Sequence, residues 1–143
     1  MRLRLSNQQS EVPMRVRLLQ QQLEASLPLL PRALPAHLAA IDIVLVDRAT
    51  MTRVHGDFLG DATETDVITF PYGEILVCPA VARDQAAAHG NTVEQEILLY
   101  ALHGLLHLAG YDDTTPPKAR RMMKAQDLLL TKVLAKPHLG RTN

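Results

Sequence analysis

The amino-acid sequence predicts an α+β fold, in which a small mixed β-sheet packs with about five helices in one compact domain over residues 1–143. Three observations support this prediction. Four short segments with alternating or β-branched apolar residues indicate strands, and several longer segments with helical periodicity indicate helices. The two types intermix without the regular strand–helix alternation of a parallel α/β protein. A chain of 143 residues is also long enough to bury a core without disulfides.

The N-terminal half is predicted to hold two strands and two helices. Pro13 is suited to a first helical turn, and Pro28 ends the same apolar periodicity. Asp47 follows a β-branched run and is placed to cap the next helix. The predicted elements are a strand over 2–5, a turn over 7–10, a helix from 13 to about 27, a strand over 41–46, a helix from 48 to about 55, and a loop over 56–64.

The C-terminal half is predicted to hold a hairpin and three helices. Tyr72 and Gly73 form a plausible turn, so the strands on either side should pair antiparallel. Thr92 with Gln95 has the spacing of a capping box, and Gly110 stands where a helix commonly ends. The predicted elements are strands over 67–70 and 74–78, helices from 79 to about 89, from 92 to about 109 and from 114 or 115 to about 135, and a flexible tail over 136–143.

Several features favour a cytoplasmic protein. The one cysteine, Cys78, excludes an intramolecular disulfide, which suits a reducing compartment. The N-terminus has no apolar core of signal-peptide length. Prolines and charged residues interrupt the most apolar stretch, Leu27–Val46, so we expect no membrane span.

The net charge is zero, but the charges are unevenly distributed. Residues 54–113 contain ten acids and one base, and residues 114–143 contain seven bases and one acid. One interpretation is an acidic, metal-attracting centre beside a basic surface for a polyanion. The other is a basic, solvated helix that pairs with acids in the fold. The basic residues closest to the motif described next are Lys118, Arg120, Arg121 and Lys124.

A metal-binding pattern lies at the end of the second helix of the C-terminal half. His103 and His107 are four residues apart, which places both imidazoles on one helix face. Gly110 lets the chain turn back, so that an acid of the segment 111–113 can approach the same point. Three protein ligands with one open position are typical of a catalytic zinc site. The alternative is a pair of structural histidines hydrogen-bonded within the core.

Two blocks of the sequence resemble the YbeY-type endoribonuclease family. The segment His103–Asp113, HGLLHLAGYDD, resembles the family signature HGxLHLxGYDH. The segment Thr65–Pro71, TDVITFP, resembles the family's TDVLSFP, and Gly73–Val77 resembles its GDIVI strand. The blocks occur in the family's order and spacing, and the resemblance extends over about residues 2–135.

The resemblance implies a fold, a cofactor and an activity. The fold is α+β, with a metal helix similar to that of zincin proteases, and the cofactor is one zinc ion. The activity is cleavage of single-stranded RNA in maturation of the 16S rRNA 3′ end and in ribosome quality control. The implied partners are the 16S rRNA precursor, the small ribosomal subunit and its assembly factors, with no DNA and no membrane. The nucleophile is a water on the metal, and no side chain is assigned as base.

Two positions depart from the family pattern. The family's third ligand is a histidine, and Asp113 stands in its place, which widens the choice of metal toward manganese or iron. Asp112 matches the family's own aspartate, and we expect it to orient a ligand or hold the turn. The family's arginine six residues before Thr65 is replaced by Leu59, and Arg53 is the nearest basic residue that could serve instead.

Other polar residues are assigned no role in the site. We expect His37 and His89 to be surface or capping residues, and Glu96 to point away from the face of His103. Gly104 occupies the position of the glutamate base of a zincin protease, which argues against a peptidase. Two alternatives to a ribonuclease stay open: a non-catalytic, metal-stabilised ribosome-assembly factor, and a metal-dependent hydrolase of another substrate.

Overall fold

The computed structural model describes residues 2–60 and 65–136. Its centre is a four-stranded mixed sheet. The strands are β1 (Arg2–Gln8), β2 (Ala40–Val46), β3 (Val67–Phe70) and β4 (Glu74–Val77). They lie in the order β1-β2-β4-β3. β2 pairs in parallel with both β1 and β4, and β3 pairs antiparallel with β4, as the predicted hairpin requires. The predicted α+β class with a small mixed sheet is therefore confirmed.

Five α-helices accompany the sheet in the described residues, as predicted. They are α1 (Val16–Ser26), α2 (Arg48–Leu59), α3 (Pro79–Ala86), α4 (Val93–Leu108) and α5 (Pro116–Ala135). Short 3-10 turns follow α1 and α3 at Leu27–Leu29 and Ala87–His89. The capping box of α4 is present, because the Thr92 side chain accepts from Gln95 N and the Gln95 side chain accepts from Thr92 N.

Helix α4 lies at the centre of the core and carries the metal-binding pattern. It packs against α1, α3, α5 and the two strands of the hairpin. Side chains on most sides of this helix are fully buried: Ile97, Leu98, Ala101, Leu102, Leu105 and Leu106. Such burial predicts that the histidines of α4 are held by a rigid scaffold rather than by a loop.

Two elements are longer than predicted. β1 continues to Gln8, because Asn7 and Gln8 keep the parallel register with Leu45 and Val46 instead of turning. α2 continues to Leu59 and ends at Gly60, whose φ of 72° is the left-handed conformation common at helix ends. Local polarity was a poor guide at both places, because backbone hydrogen bonding decided them.

The remaining predictions on the chain concern its ends and the membrane. Lys136 is the residue that follows α5, and the rest of the predicted tail, residues 137–143, lies outside the described residues. Within residues 2–60 and 65–136, no helix combines the length and the apolar character that a membrane span requires.

Candidate metal centre

His103 and His107 face the same point from successive turns of α4. Their Nε2 atoms lie 3.1 Å apart, and their ring centroids are 4.7 Å apart at an interplanar angle of 79°. Both residues are partly buried on a helix that is otherwise packed into the core. The spacing of four residues therefore produces the juxtaposition expected for two ligands of one ion.

The turn after α4 returns the chain toward these two rings. Gly110 has a φ of 100°, and Tyr111 N donates to Leu106 O at 3.0 Å, which closes the helix end. Asp113 then lies beside the histidines, and one ligand atom from each of the three residues lies within 4.8 Å of the others. The acid of the segment 111–113 that joins the histidines is thus Asp113.

The donor set fits a small transition-metal ion. Two nitrogens bound to one tetrahedral zinc at about 2.0–2.1 Å are about 3.3 Å apart, so the spacing of 3.1 Å between the Nε2 atoms needs little change. Burial lowers the pKa of His107, and the neighbouring His103 lowers it further, although Asp113 opposes the shift. A lowered pKa keeps the ring of His107 neutral, which is the form that binds a metal.

A residue of helix α5 fixes the orientation of His103. Gln126 Oε1 accepts a hydrogen bond from His103 Nδ1 at 2.7 Å. A carbonyl oxygen can only accept, so the ring carries its proton on Nδ1 and presents the lone pair of Nε2 toward His107. The sequence pattern around His103 does not point to Gln126, which lies 23 positions later in the chain.

His103, His107 and Asp113 line a cavity of about 600 Å³, the metal cavity. Among the other described residues that line this cavity, His37 and Thr69 are the ones whose side chains can donate a hydrogen bond. The remaining lining residues are Pro35, Asp66, Val67, Pro71 and Leu108. We expected a surface role for His37; it is exposed, but it stands at the mouth of the metal cavity on the turn after Pro35.

The chain resembles known proteins in both sequence and fold. The family model described as "Endoribonuclease YbeY" matches residues 4–134. The chain belongs to this family. The structure also resembles the solution structure of a Thermotoga maritima protein, with a TM-score of 0.68 and 26% identity, over 98% of this chain and 99% of that one.

Curated relatives carry the same family name. An "Endoribonuclease YbeY" of Renibacterium salmoninarum is 37% identical over 113 residues, which cover 67% of this chain and 72% of the relative. One of Kineococcus radiotolerans is 35% identical over 121 residues, covering 73% and 69%. One of Thermotoga neapolitana is 37% identical over 98 residues, covering 64% and 66%. The family resemblance found in the two sequence blocks is thus confirmed.

Asp112, which matches the YbeY family's aspartate, serves the turn between α4 and α5. Its Oδ1 accepts from Thr114 N at 3.1 Å and from Thr114 Oγ1 at 2.7 Å, and Lys118 Nζ lies 3.6 Å from Oδ2. The hydrogen bonds from Thr114 and the charge of Lys118 lower the pKa of Asp112. This aspartate therefore stays ionised and holds the segment that delivers Asp113.

The position of the YbeY family's arginine contributes no charge to the metal cavity. Leu59 is 60% exposed at the end of α2. Arg53 lines a separate cavity of about 650 Å³ together with Arg48 and Asp57. Arg53 is not among the described residues that line the metal cavity, so the structure does not place it where the family's arginine would act.

The basic residues of α5 have different surroundings. Lys118 lies next to Asp112, and Arg120 is exposed. Arg121 and Lys124 line a cavity of about 310 Å³ with Arg32, whose guanidinium lies 3.9 Å above the Tyr111 ring. The residue of α5 that contacts His103 is Gln126. None of the four cations predicted as RNA contacts is among the described residues that line the metal cavity.

The expectation that Glu96 points away from the face of His103 was wrong. Seven residues are close to two turns of 3.6, so Glu96 and His103 lie on nearly the same face of α4, and both line a cavity of about 300 Å³. Glu96 is fully buried and accepts from His89 Nδ1 at 2.6 Å and from Asn91 Nδ2 at 2.9 Å. Burial raises the pKa of Glu96, but hydrogen bonds from Asn91, His89 and Tyr100 outweigh it, and the net shift is downward.

Proposed function

We propose that this protein is a zinc-dependent endoribonuclease that cleaves single-stranded RNA. The observation that supports it most directly is the convergence of ligand atoms from His103, His107 and Asp113 within 4.8 Å at one end of an open cavity. The name shared by its relatives supplies the class of substrate. Three protein ligands beside an open cavity would have the composition of a catalytic zinc site, which leaves a fourth position for water or substrate.

A zinc ion held by these residues would polarise a phosphate oxygen and lower the pKa of water toward neutrality. The protein contributes the arrangement. His107 is kept neutral by burial, and His103 is turned by Gln126 so that its Nε2 faces the same point. Asp113 adds a negative charge where the family has a neutral imidazole, so we expect a weaker Lewis acid and a greater tolerance for manganese or iron.

The substrate would be positioned by residues around the ligands. His37 and Thr69 can each donate a hydrogen bond to a phosphate oxygen in the cavity. Asp66 stabilises the strand that carries Thr69: its Oδ1 accepts from Val67 N at 2.8 Å, and its carbonyl accepts from Cys78 N at 3.0 Å. None of the described lining residues is a lysine or an arginine, so phosphate binding at this point would depend on the metal and on neutral donors.

The cellular substrate we propose is the precursor of 16S rRNA, cut at its 3′ end in the cytoplasm during maturation and quality control of the small ribosomal subunit. The cations of α5 and Arg53 are the proposed contacts to RNA outside the metal cavity. They would bind phosphates at a distance from the cleaved bond and hold a longer RNA against the surface. DNA is not the proposed substrate.

Cleavage of a single-stranded RNA by the zinc-loaded protein, with a DNA of the same sequence as control, tests the proposal. We expect cleavage of the RNA alone, loss of activity in His107→Ala and in Asp113→Ala, and retention in Asp113→His, which restores the family's ligand. Zinc content is measured on every sample. A fully loaded wild-type protein that leaves RNA intact would contradict the proposal.

A non-catalytic role in ribosome assembly is the second candidate, and the position of Arg121 and Lys124 on a side of α5 away from the ligands favours it. In that case the metal would stabilise the fold and the basic side of α5 would bind ribosomal RNA. His107→Ala would then lower thermal stability while small-subunit binding persists and rRNA processing in cells is unaffected. Loss of processing with unchanged binding would favour the nuclease.

A further inference from the structure

We propose that the cavity between α4 and α5 binds one nucleobase of the RNA strand whose phosphate lies at the metal centre. This inference rests on the proposed function and names a part of the substrate. The cavity has a volume of about 300 Å³ and is separate from the one that contains His37. A volume of this size is at the lower end of the range for ligand pockets, which suits a single base.

The position of this cavity connects it to the cleavage site. His103, Asp113, Asp66 and Val67 line both cavities, so the two lie on either side of the proposed ligands. A nucleotide that places its phosphate beside His103 and Asp113 has its base one sugar away. The cavity between α4 and α5 adjoins these two residues, so that base could extend into it.

The charge of the lining residues favours the base over a second phosphate as its occupant. None of the described residues that line this cavity is a lysine or an arginine, and Glu96 adds a carboxylate that does not line the metal cavity. Away from the proposed zinc, a phosphate would be repelled by Glu96 and would meet no lysine or arginine. The neutral part of a nucleotide, its base, meets no such repulsion.

The apolar wall suits a flat ring. Leu99, Met122 and Met123 line the cavity. Thioether side chains contact aromatic rings favourably and adapt to their shape. The side chain of Met123 is apolar yet 63% exposed, and a bound base would cover it. Stacking of a base against such a wall tolerates different sequences, as expected of a nuclease that recognises single strands.

Gln126 supplies a hydrogen bond to the edge of the base. Its Oε1 is engaged by His103 Nδ1, which leaves its amide N–H groups to donate. Gln126 lines the same cavity as Met122 and Met123. A ring nitrogen or carbonyl of the base would accept from it, so one side chain would connect base binding to the orientation of a metal ligand.

Methionine methyl signals offer a direct test that does not depend on cleavage. Zinc-loaded full-length protein with 13C-labelled methionine methyls is titrated with adenosine, cytidine or uridine, and separately with ribose and with inorganic phosphate. We expect the signals of Met122 and Met123 to shift with nucleosides at concentrations up to about 10 mM, and not with ribose or phosphate. Met51, which lies in a different part of the core, serves as internal control.

A matched pair of variants locates the binding. Ala119 lines the proposed base cavity, and Ala125 lines the cavity on the other side of α5. We expect Ala119→Leu to weaken nucleoside binding by about tenfold or more, equivalent to the loss of one good contact, and Ala125→Leu to leave it unchanged. Thermal unfolding verifies both folds. If Ala119→Leu does not fold, Met123→Ala, at an exposed position, is expected to weaken binding instead.

The outcomes separate this inference from the proposed function. Absence of nucleoside-induced shifts at Met122 and Met123, or equal shifts with ribose, overturns the base cavity even if RNA is cleaved. Unchanged binding in both Ala119→Leu and Met123→Ala overturns it as well. Nucleoside-specific shifts without RNA cleavage would support the cavity while contradicting the nuclease.

Discussion

His103 Nδ1 on α4 lies 2.7 Å from Gln126 Oε1 on α5, and the two residues are separated by 23 positions in the chain. This hydrogen bond connects the last helix to the metal-binding pattern of the helix before it. Because it fixes both the tautomer and the rotation of the ring, it determines where Nε2 points before any ion arrives. The packing of α5 on α4 is therefore part of the site as well as of the core.

Gln126→Leu should weaken metal binding without removing a ligand. A leucine cannot accept from His103 Nδ1, so the ring becomes free to rotate or to change tautomer. Loss of such an orienting partner typically lowers metal affinity by about 10–100-fold. Competition with a chromophoric chelator measures the zinc affinity. Gln126→Glu, which keeps an acceptor oxygen, is the control and should bind zinc at least as tightly; equal affinity for the leucine variant would contradict this role.

Gly104→Ala should destabilise the protein. A Cβ at this position would lie 2.7 Å from Ile75 Cγ2, 2.9 Å from Ile75 Cδ1 and 3.1 Å from Thr69 Oγ1. Overpacking of this kind costs about 1–3 kcal/mol, whereas alanine gains about 0.8–1.0 kcal/mol over glycine in a helix. We expect a net loss of about 1 kcal/mol, measured by urea unfolding.

A double-mutant cycle identifies the cause of that loss. If contact with the strand β4 is responsible, Gly104→Ala should be better tolerated in an Ile75→Ala background, because the Cγ2 and Cδ1 atoms are then gone. Additive effects of the two substitutions on the free energy of unfolding would contradict a clash between the new Cβ and Ile75.

Glu96→Gln should destabilise the fold at neutral pH and have a smaller effect in acid. The fully buried carboxylate accepts hydrogen bonds from His89 and Asn91. These bonds make the pKa of Glu96 lower in the folded protein than in the unfolded chain. Its contribution is thus present above the unfolded pKa of about 4.3 and is lost as the pH falls through the folded pKa. We expect a loss of about 1–3 kcal/mol at neutral pH.

Glu94→Gln provides the comparison for Glu96. Glu94 lies in the same first turn of α4 and forms an ion pair with Arg15, with 45% of its side chain exposed. An exposed pair contributes at most about 1 kcal/mol. Urea unfolding at neutral pH and near pH 4 should therefore show a large, pH-dependent effect at position 96 and a small one at 94. Equal effects would contradict the role of the buried cluster.

Arg121→Ala/Lys124→Ala should weaken RNA binding in a salt-dependent manner. Each phosphate contact to a single strand contributes about 0.7 to the slope of log affinity against log salt concentration, so loss of two contacts should reduce the slope by about 1.4. Fluorescence anisotropy with labelled single-stranded RNA measures it. Arg2→Ala/Arg17→Ala removes the same charge from exposed positions elsewhere and should leave the slope unchanged. Identical slopes for both variants would refute RNA contact by α5.

The parts of the site that could be predicted from the sequence are those set by local geometry. His103 and His107 are one turn apart on an apolar helix, and Gly110 is suited to the turn that follows it, so their positions follow from helix periodicity and the conformational freedom of glycine. The capping box at Thr92 is local in the same sense. The choice between Asp112 and Asp113 depends on a turn in which Thr114 binds the first of them.

Residues brought in from distant segments could not be predicted in this way. His37 precedes β2, and Gln126 belongs to α5, so their approach to the metal cavity depends on tertiary packing that periodicity does not describe. Glu96 is different, because a correct count of two helical turns would have placed it on the face of His103. Its burial and its hydrogen bonds with Asn91 and His89 depend on the tertiary structure and could not be predicted from the helical pattern.

Metal analysis of the purified protein and of His103→Ala/His107→Ala tests the central claim most directly. Both proteins are loaded with zinc, freed of excess ion, and examined by elemental analysis together with a measurement of folding. We expect one tightly bound zinc per wild-type chain and none in the folded double variant. A wild-type protein that retains no metal, or a double variant that retains as much, would contradict it.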